Sequence, residues 1–264
     1  RHMKARMLVT ALLATIMAVS AALVVWAVPV SAASLPSLEE RITAADLHWS
    51  RRSQAGVTEA LLRNLEEADR DYPEQGEVLW RLSRAYWWKS TRIPKDDKKT
   101  KIEWLDKAKA TGERAAKAAP GNPDAHYWYA AAMAETGVAR GILQSLFMVK
   151  PTREALERGL AADPNHASCH YLMAELYLQL PGPPLSIGNK QKAVEEARLA
   201  VKYGPDSSSH WLVLGRALIA TKQYGEARQA LSALLAMAPD PGDPEGTRAD
   251  QDEARAELQS IANK

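Results

Sequence analysis

"HWLVLGRALIATKQYGEARQALSALLAMAP", His210 to Pro239, holds two apolar-periodic stretches joined by a short polar turn and closed by a proline. Trp211, Leu214, Gly215 and Leu218 recur at the 3, 4 and 7 spacing of one helical face. Gly215 leaves that face shallow, so a second helix carrying Ala227 packs closely on it, and Pro239 stops the second helix because it has no N–H. The plan recurs upstream. Pro73, Pro120, Pro164 and Pro205 also follow Ala-rich helical stretches, and the five prolines stand 47, 44, 41 and 34 residues apart. Ten residues after the first four come Ser83, Ala130, Ala174 and Gly215. Twelve before the last four come Ala108, Thr152, Ala193 and Ala227, and five before all five come Ala68, Ala115, Gly159, Ala200 and Leu234.

Small residues at fixed offsets in a 34-residue helix–turn–helix unit are the tetratricopeptide signature. The pattern predicts an all-α solenoid of helical hairpins coiling as a right-handed superhelix. Residues 76–241 form four repeats. Residues 34–75 form an irregular first helix pair, with Trp49 and Leu61 where small residues are expected. Residues 242–264 give an acidic linker and a polar capping helix, its acids read as a solvated helix start. The three longer repeats exceed 34 residues by 13, 10 and 7, each excess lying between paired helices: "KSTRIPKDDKKT", "GVARGILQSLFMVKPT" and "PGPPLSIG". They read either as extended helix ends or as segments emerging along one edge of the array.

Offsets 7, 11, 14 and 15 after each proline lie on the face that lines the concave side of such a superhelix. They place Trp80, Arg84, Trp87, Trp88, Tyr127, Glu135, Tyr171, Glu175, Leu212 and Arg216 along a candidate groove. Aromatic anchors supply buried area at low entropy cost, and a few charges fix orientation. The groove suits a protein or peptide partner. The alternative is a carrier for a lipid or other apolar molecule, with the apolar insertion's Ile142, Leu143, Leu146 and Phe147 folded back as a lid. A third reading has the extra residues filling the groove and turning the rings into core.

The blocks "EVLWRLSRAYWW", "HYWYAAAMAETGVARGI", "REALERGLAADPNHASCHYLMAELY" and "WLVLGRALI" resemble the tetratricopeptide domain of the regulator of microtubule dynamics family, over about Leu65 to Ile261. That resemblance implies a non-enzymatic adaptor, with microtubule association, organelle tethering and lipid binding among its members. A weaker resemblance is to the periplasmic T component of tripartite transporters, which builds similar hairpins around an apolar cavity. The lipoprotein cysteine of that component has no counterpart here.

Catalysis has little support. His166 and His170 stand four apart with Glu175 beyond, but His170 holds a packing position and His166 a loop, so no metal site is expected. Cys169 reads as an inert core thiol. No phosphate loop, nucleophile motif or cofactor motif is present in the sequence. Without Arg1, Lys4 and Arg6 the body carries 31 basic and 32 acidic residues, which leaves no electrostatic footprint for nucleic acid.

Residues 1–33 have a basic start, an uncharged run from Met7 to Val28, then Pro29 and small residues. They read as a secretory signal cleaved after Ala32 or Ala33, or as a membrane anchor if retained, which would be the chain's membrane contact. The expected location is periplasmic or secreted. Protein recovered from the envelope is expected to begin at Ala33 or Ser34 by intact-mass measurement; retention of residues 3–32 would make the segment an anchor.

Overall fold

The computed structural model describes residues 35–264, which among them form eleven α-helices and no strand. The expected signal and its cleavage site lie outside the described residues. The helices are α1 Leu38–Trp49, α2 Val57–Asp71, α3 Gly76–Thr91, α4 Lys98–Ala118, α5 Pro123–Arg140, α6 Ile142–Ala162, α7 Ala167–Gln179, α8 Lys190–Tyr203, α9 Ser208–Ala220, α10 Tyr224–Leu235 and α11 Pro244–Ser260. None of them is long and apolar enough to cross a membrane.

The register of small residues dictates the packing. Ser83, Ala130, Ala174, Ala108, Ala193, Ala227, Ala68, Ala115 and Ala200 all have zero exposure, and Thr152 only 1%. They lie where paired and successive helices cross, so α3 packs on α4, α5 on α6, α7 on α8 and α9 on α10, each pair stacking on the next. The chain is an all-α tetratricopeptide solenoid. Gly112 shows why size is limiting: a Cβ there would sit 2.8 Å from the Tyr129 Cα and 3.0 Å from the Ser83 Oγ. The Ser83 hydroxyl donates to the Ala108 carbonyl at 2.8 Å, satisfying a polar group buried in that crossing.

The inter-repeat turns repeat two bonds. The residue before the proline donates its N–H to the small residue five before that proline: Tyr72 to Ala68, Ala119 to Ala115, Asp163 to Gly159 and Gly204 to Ala200, all at 2.8–2.9 Å. A side chain six residues after the proline then donates to the proline carbonyl: His126 to Pro120 at 2.8 Å, His170 to Pro164 at 2.9 Å and Trp211 to Pro205 at 2.8 Å. These bonds satisfy carbonyls that the helix ends leave free. His126 and His170 clamp these turns.

The first two insertions become helix. "KSTRIPKDDKKT" lengthens α3 and α4 around a short loop. In the second insertion Gly141, at φ 111°, alone separates α5 from α6, and α6 continues through Pro151. The third, residues 181–188, is a loop closed by Gly188 N–H to Pro181 O at 2.9 Å.

At the two ends the solenoid is tied across itself. Arg41, buried in α1, bonds Asn64, Glu67 and Asp71 of α2. Asp243 caps α11 through the Gly246 N–H, while Arg216 of α9 holds Glu253 and Glu257 of α11. The loop before α11 reaches the opposite end: Asp240 pairs with Arg52 at 2.6 Å, and Asp243 with Arg92 at 2.9 Å.

Replacing Gly215 by Leu drives the new side chain into Leu231, and Ala174→Leu overfills a crossing with no free volume. Each is expected to cost roughly 1–3 kcal/mol of stability in chemical denaturation. Unchanged midpoints for both would contradict the register.

Candidate functional site

The ten inner-face positions are either covered by other parts of the chain or line one of two cavities, with Tyr171 on both. Trp80, Arg84, Trp88 and Leu212 are buried, at 7%, 8%, 3% and 5% exposure. The placement of these four on an open wall is therefore corrected: they are core. Leu212 lies under the capping helix with Leu231, Leu234 and Ala254, and Arg216 is ion-paired to that helix. Trp87, Tyr127 and Tyr171 line an open cavity, while Glu135, Tyr171 and Glu175 line a second, smaller one.

The buried tryptophans belong to a stack in which cations and rings alternate. Arg81 lies 4.1 Å over Trp80, Arg84 between Trp80 and Trp49 at 4.8 and 3.9 Å, Arg52 between Trp49 and Trp88 at 4.3 and 4.9 Å, and Arg92 3.7 Å over Trp88. Each guanidinium faces the electron-rich side of a ring, worth about 0.5–1 kcal/mol when exposed and about 2 or more when desolvated. Burial pulls Arg84 down to about 10, against the raising effect of Asp46, whose carboxylate lies 3.5 Å away. The Trp88 Nε1–H donates to Thr58 at 3.2 Å and that of Trp80 to Glu77 at 3.0 Å. Trp49 fills the place expected for a small residue, and Arg52 follows in the α1–α2 turn, so the first helix pair occupies one end of the groove.

Beyond that stack the inner face is open. A cavity of about 640 Å³ is walled by Trp87, Tyr127 and Tyr171 from α3, α5 and α7, by Ser207 to His210 at the start of α9, and by the loop and first turns of α11. Trp128 braces the wall, edge-on to Trp49 at 6.2 Å and to Tyr127 at 4.9 Å, and 5.4 Å from Trp87. Tyr171 packs on His210 at 5.3 Å. Four carboxylates, Asp206, Asp240, Asp243 and Asp250, line the cavity against the single cation Arg52. Burial raises the pKa of Asp250, as does Glu253 nearby, while the Ser208 hydroxyl at 2.6 Å lowers it. Burial likewise pushes up the Tyr127 and Tyr171 phenols.

The four lid residues stand away from both cavities. Ile142, Leu143, Leu146 and Phe147 are 82%, 75%, 42% and 71% exposed, and none lines either hollow. Because α6 begins one residue after α5, the insertion is helical from its start. Its Met148 and Val149 face the smaller cavity and the lid positions face out. Cys169 is fully buried, and its burial pushes the thiol pKa up. His166 accepts the Cys169 N–H as the cap of α7. The His170 ring is pulled down by burial, but its bonds to Glu196 and to the Pro164 carbonyl outweigh that and raise it.

The model of the regulator of microtubule dynamics protein 1-3 family matches residues 43–180, more than half the chain. The chain belongs to that family. A tetratricopeptide repeat model matches residues 185–244. No curated protein matches. Among solved structures, a thermophilic tetratricopeptide protein of Thermus thermophilus aligns with 83% of this chain and 100% of its own, at 15% identity and a TM-score of 0.61. That likeness carries the fold. YrrB, described as a tetratricopeptide protein with an unusual peptide-binding site, aligns with 86% of this chain and 92% of its own at 14% identity and a TM-score of 0.46.

Trp88→Ala opens a void in the stack, leaves Arg92 without its ring and Arg52 with Trp49 alone, so it is expected to cost roughly 3–5 kcal/mol in chemical denaturation. Trp87→Ala, on the cavity wall, is expected to cost clearly less. Equal losses would place both rings in one core.

Proposed function

We propose that the chain is a non-catalytic scaffold that holds a segment of a protein or peptide partner in the cavity walled by Trp87, Tyr127 and Tyr171. The observation that carries this reading is the wall itself: three large rings from three successive repeats border one hollow of about 640 Å³, large enough for several side chains. Rings fixed on helices lose little entropy on binding, and the serines and carboxylates around them offer acceptors and donors to a peptide backbone. The carrier alternative needs a roof over apolar walls, and it is disfavoured by the outward-facing insertion and the four carboxylates. We place this scaffold outside the cytoplasm on the strength of the leader segment, with the cavity as the working surface.

The test is selection of a peptide from a random library on the purified full chain, followed by titration against wild type and the double variant Trp87→Ala, Tyr127→Ala. The expected result is a cooperative fold and an affinity weaker by about 2 kcal/mol or more. An unchanged affinity in the folded double variant would overturn the reading.

A further inference from the structure

Between α5, α6 and α7 lies a second cavity, about 190 Å³, which shares Tyr171 with the larger one. Part of its wall is apolar, from Val138, Met148, Val149 and Leu176. The polar part comes from three different helices: Glu135 on α5, Thr152 on α6 and Glu175 on α7.

Thr152 is 1% exposed, and its hydroxyl has no hydrogen-bond partner. Threonines in helices often return this bond to the carbonyl four residues back, as Thr136 does to Ala132 at 2.6 Å and Thr221, just past the end of α9, to Ala217 at 3.0 Å. An unsatisfied buried hydroxyl is costly, and a bound polar group would recover that cost. Glu175 has the matching deficit. Its carboxylate takes a bond from the neutral Gln179 amide but makes no ion pair with any described residue. Burial raises its pKa, with Glu253 and Asp250 adding to the effect and Gln179 and Arg216 opposing it. Glu135 reaches only Lys101, at 3.9 Å. Glu175 without an ion pair, Glu135 with only a loose one and an unbonded Thr152 hydroxyl therefore stand together beside an apolar wall. A metal ion does not answer this, since no group of three or more metal-ligating side chains is assembled among the described residues.

We propose that this cavity binds an alkylammonium group, its methylene stem against Val138, Met148, Val149 and Leu176 and its three N–H donors shared among Glu175, Glu135 and Thr152. Three acceptors on three helices match the three donors of an ammonium group, and a four- or five-carbon stem covers apolar surface while its head is charged. The group is either a lysine side chain of the partner, which rests on the peptide reading above, or a free aliphatic amine.

The full chain is titrated with pentylamine hydrochloride and with 1-pentanol, an uncharged molecule of similar length, by amide NMR shifts. Pentylammonium is expected to bind about tenfold or more tighter than 1-pentanol, with shifts centred on α5, α6 and α7. Glu175→Gln and, independently, Thr152→Val are expected to remove most of that preference, while Glu195→Gln on the exposed face of α8 leaves it intact. Folding of each variant is checked by circular dichroism, and Glu135→Gln replaces any that fails to fold. Alcohol binding as tight as amine binding, no binding of either, or an amine affinity unmoved in folded Glu175→Gln would overturn the proposal. A second titration uses acetyl-Ala-Ala-Lys-Ala-Ala-amide as competitor. Displacement of pentylammonium assigns the site to a lysine side chain, and no displacement assigns it to a free amine. Pentylamine contains no peptide, so its binding stands apart from the larger cavity: amine binding with no selectable peptide partner would sink the groove reading and leave this one standing.

Discussion

Four arginines and three tryptophans, stacked alternately from Arg81 to Arg92, decide where the concave face is closed and where it is open. The stack joins segments with no local reason to meet: α3 supplies Trp80, Arg84 and Trp88, the end of α1 supplies Trp49, and the following turn supplies Arg52. Its cations do two jobs. Arg52 and Arg92 lie on ring faces and also bind Asp240 and Asp243 of the loop before α11. Each of these ion pairs is partly exposed and worth little alone, on the order of 0–1 kcal/mol. What gives them effect is that the rings hold both guanidinium groups in place beforehand, so less side-chain entropy is lost when the carboxylates arrive. The terminal loop thus becomes a wall of the cavity.

The repeat register supplies the rest of the geometry. Because most crossing residues are alanine, glycine, serine or threonine, successive helices approach closely. On the concave side, Trp87, Tyr127 and Tyr171 border one hollow. The proline turns then fix the stagger between repeats through the same carbonyl bonds three times over. A cavity wall built from successive repeats inherits its spacing from those turns.

Much of this was legible in the sequence, and the limits have physical causes. The helical hairpins followed from periodicity and proline spacing, because those report local backbone rules that each repeat obeys separately. The direction of Trp80 and Trp88 was legible too, but not their burial: the ring and cation that cover them come from Trp49 and Arg52, in a first pair that breaks the register. Spacing says which face a residue is on and nothing about what an irregular neighbour lays over it. From the sequence, the acids near 240 read as a solvated helix start. Asp243 does cap α11, yet the partners that make Asp240 and Asp243 structural are 188 and 151 residues away, at Arg52 and Arg92. The insertion failed as a lid for a local reason, since one residue between α5 and α6 leaves no slack for the chain to fold back. Thr152 was legible only as a small crossing residue, because an absent hydrogen bond has no sequence signature.

Helix α3 shows how one stretch serves both purposes. Trp80, Arg84 and Trp88 follow at spacings of four and form a single stripe, which the stack covers. Trp87, seven residues after Trp80, lies only about 20° from it around the helix, at the edge of that stripe, and borders the cavity. The stripe anchors the helix so firmly that the neighbouring ring is held at a defined height above the groove without being buried itself. A fixed, half-buried ring loses little on meeting a partner, whereas a mobile one would have to be ordered first. The density of tryptophan in this helix is therefore the condition for one of them being available: three side chains are spent on rigidity so that the fourth position can be exposed in a fixed place.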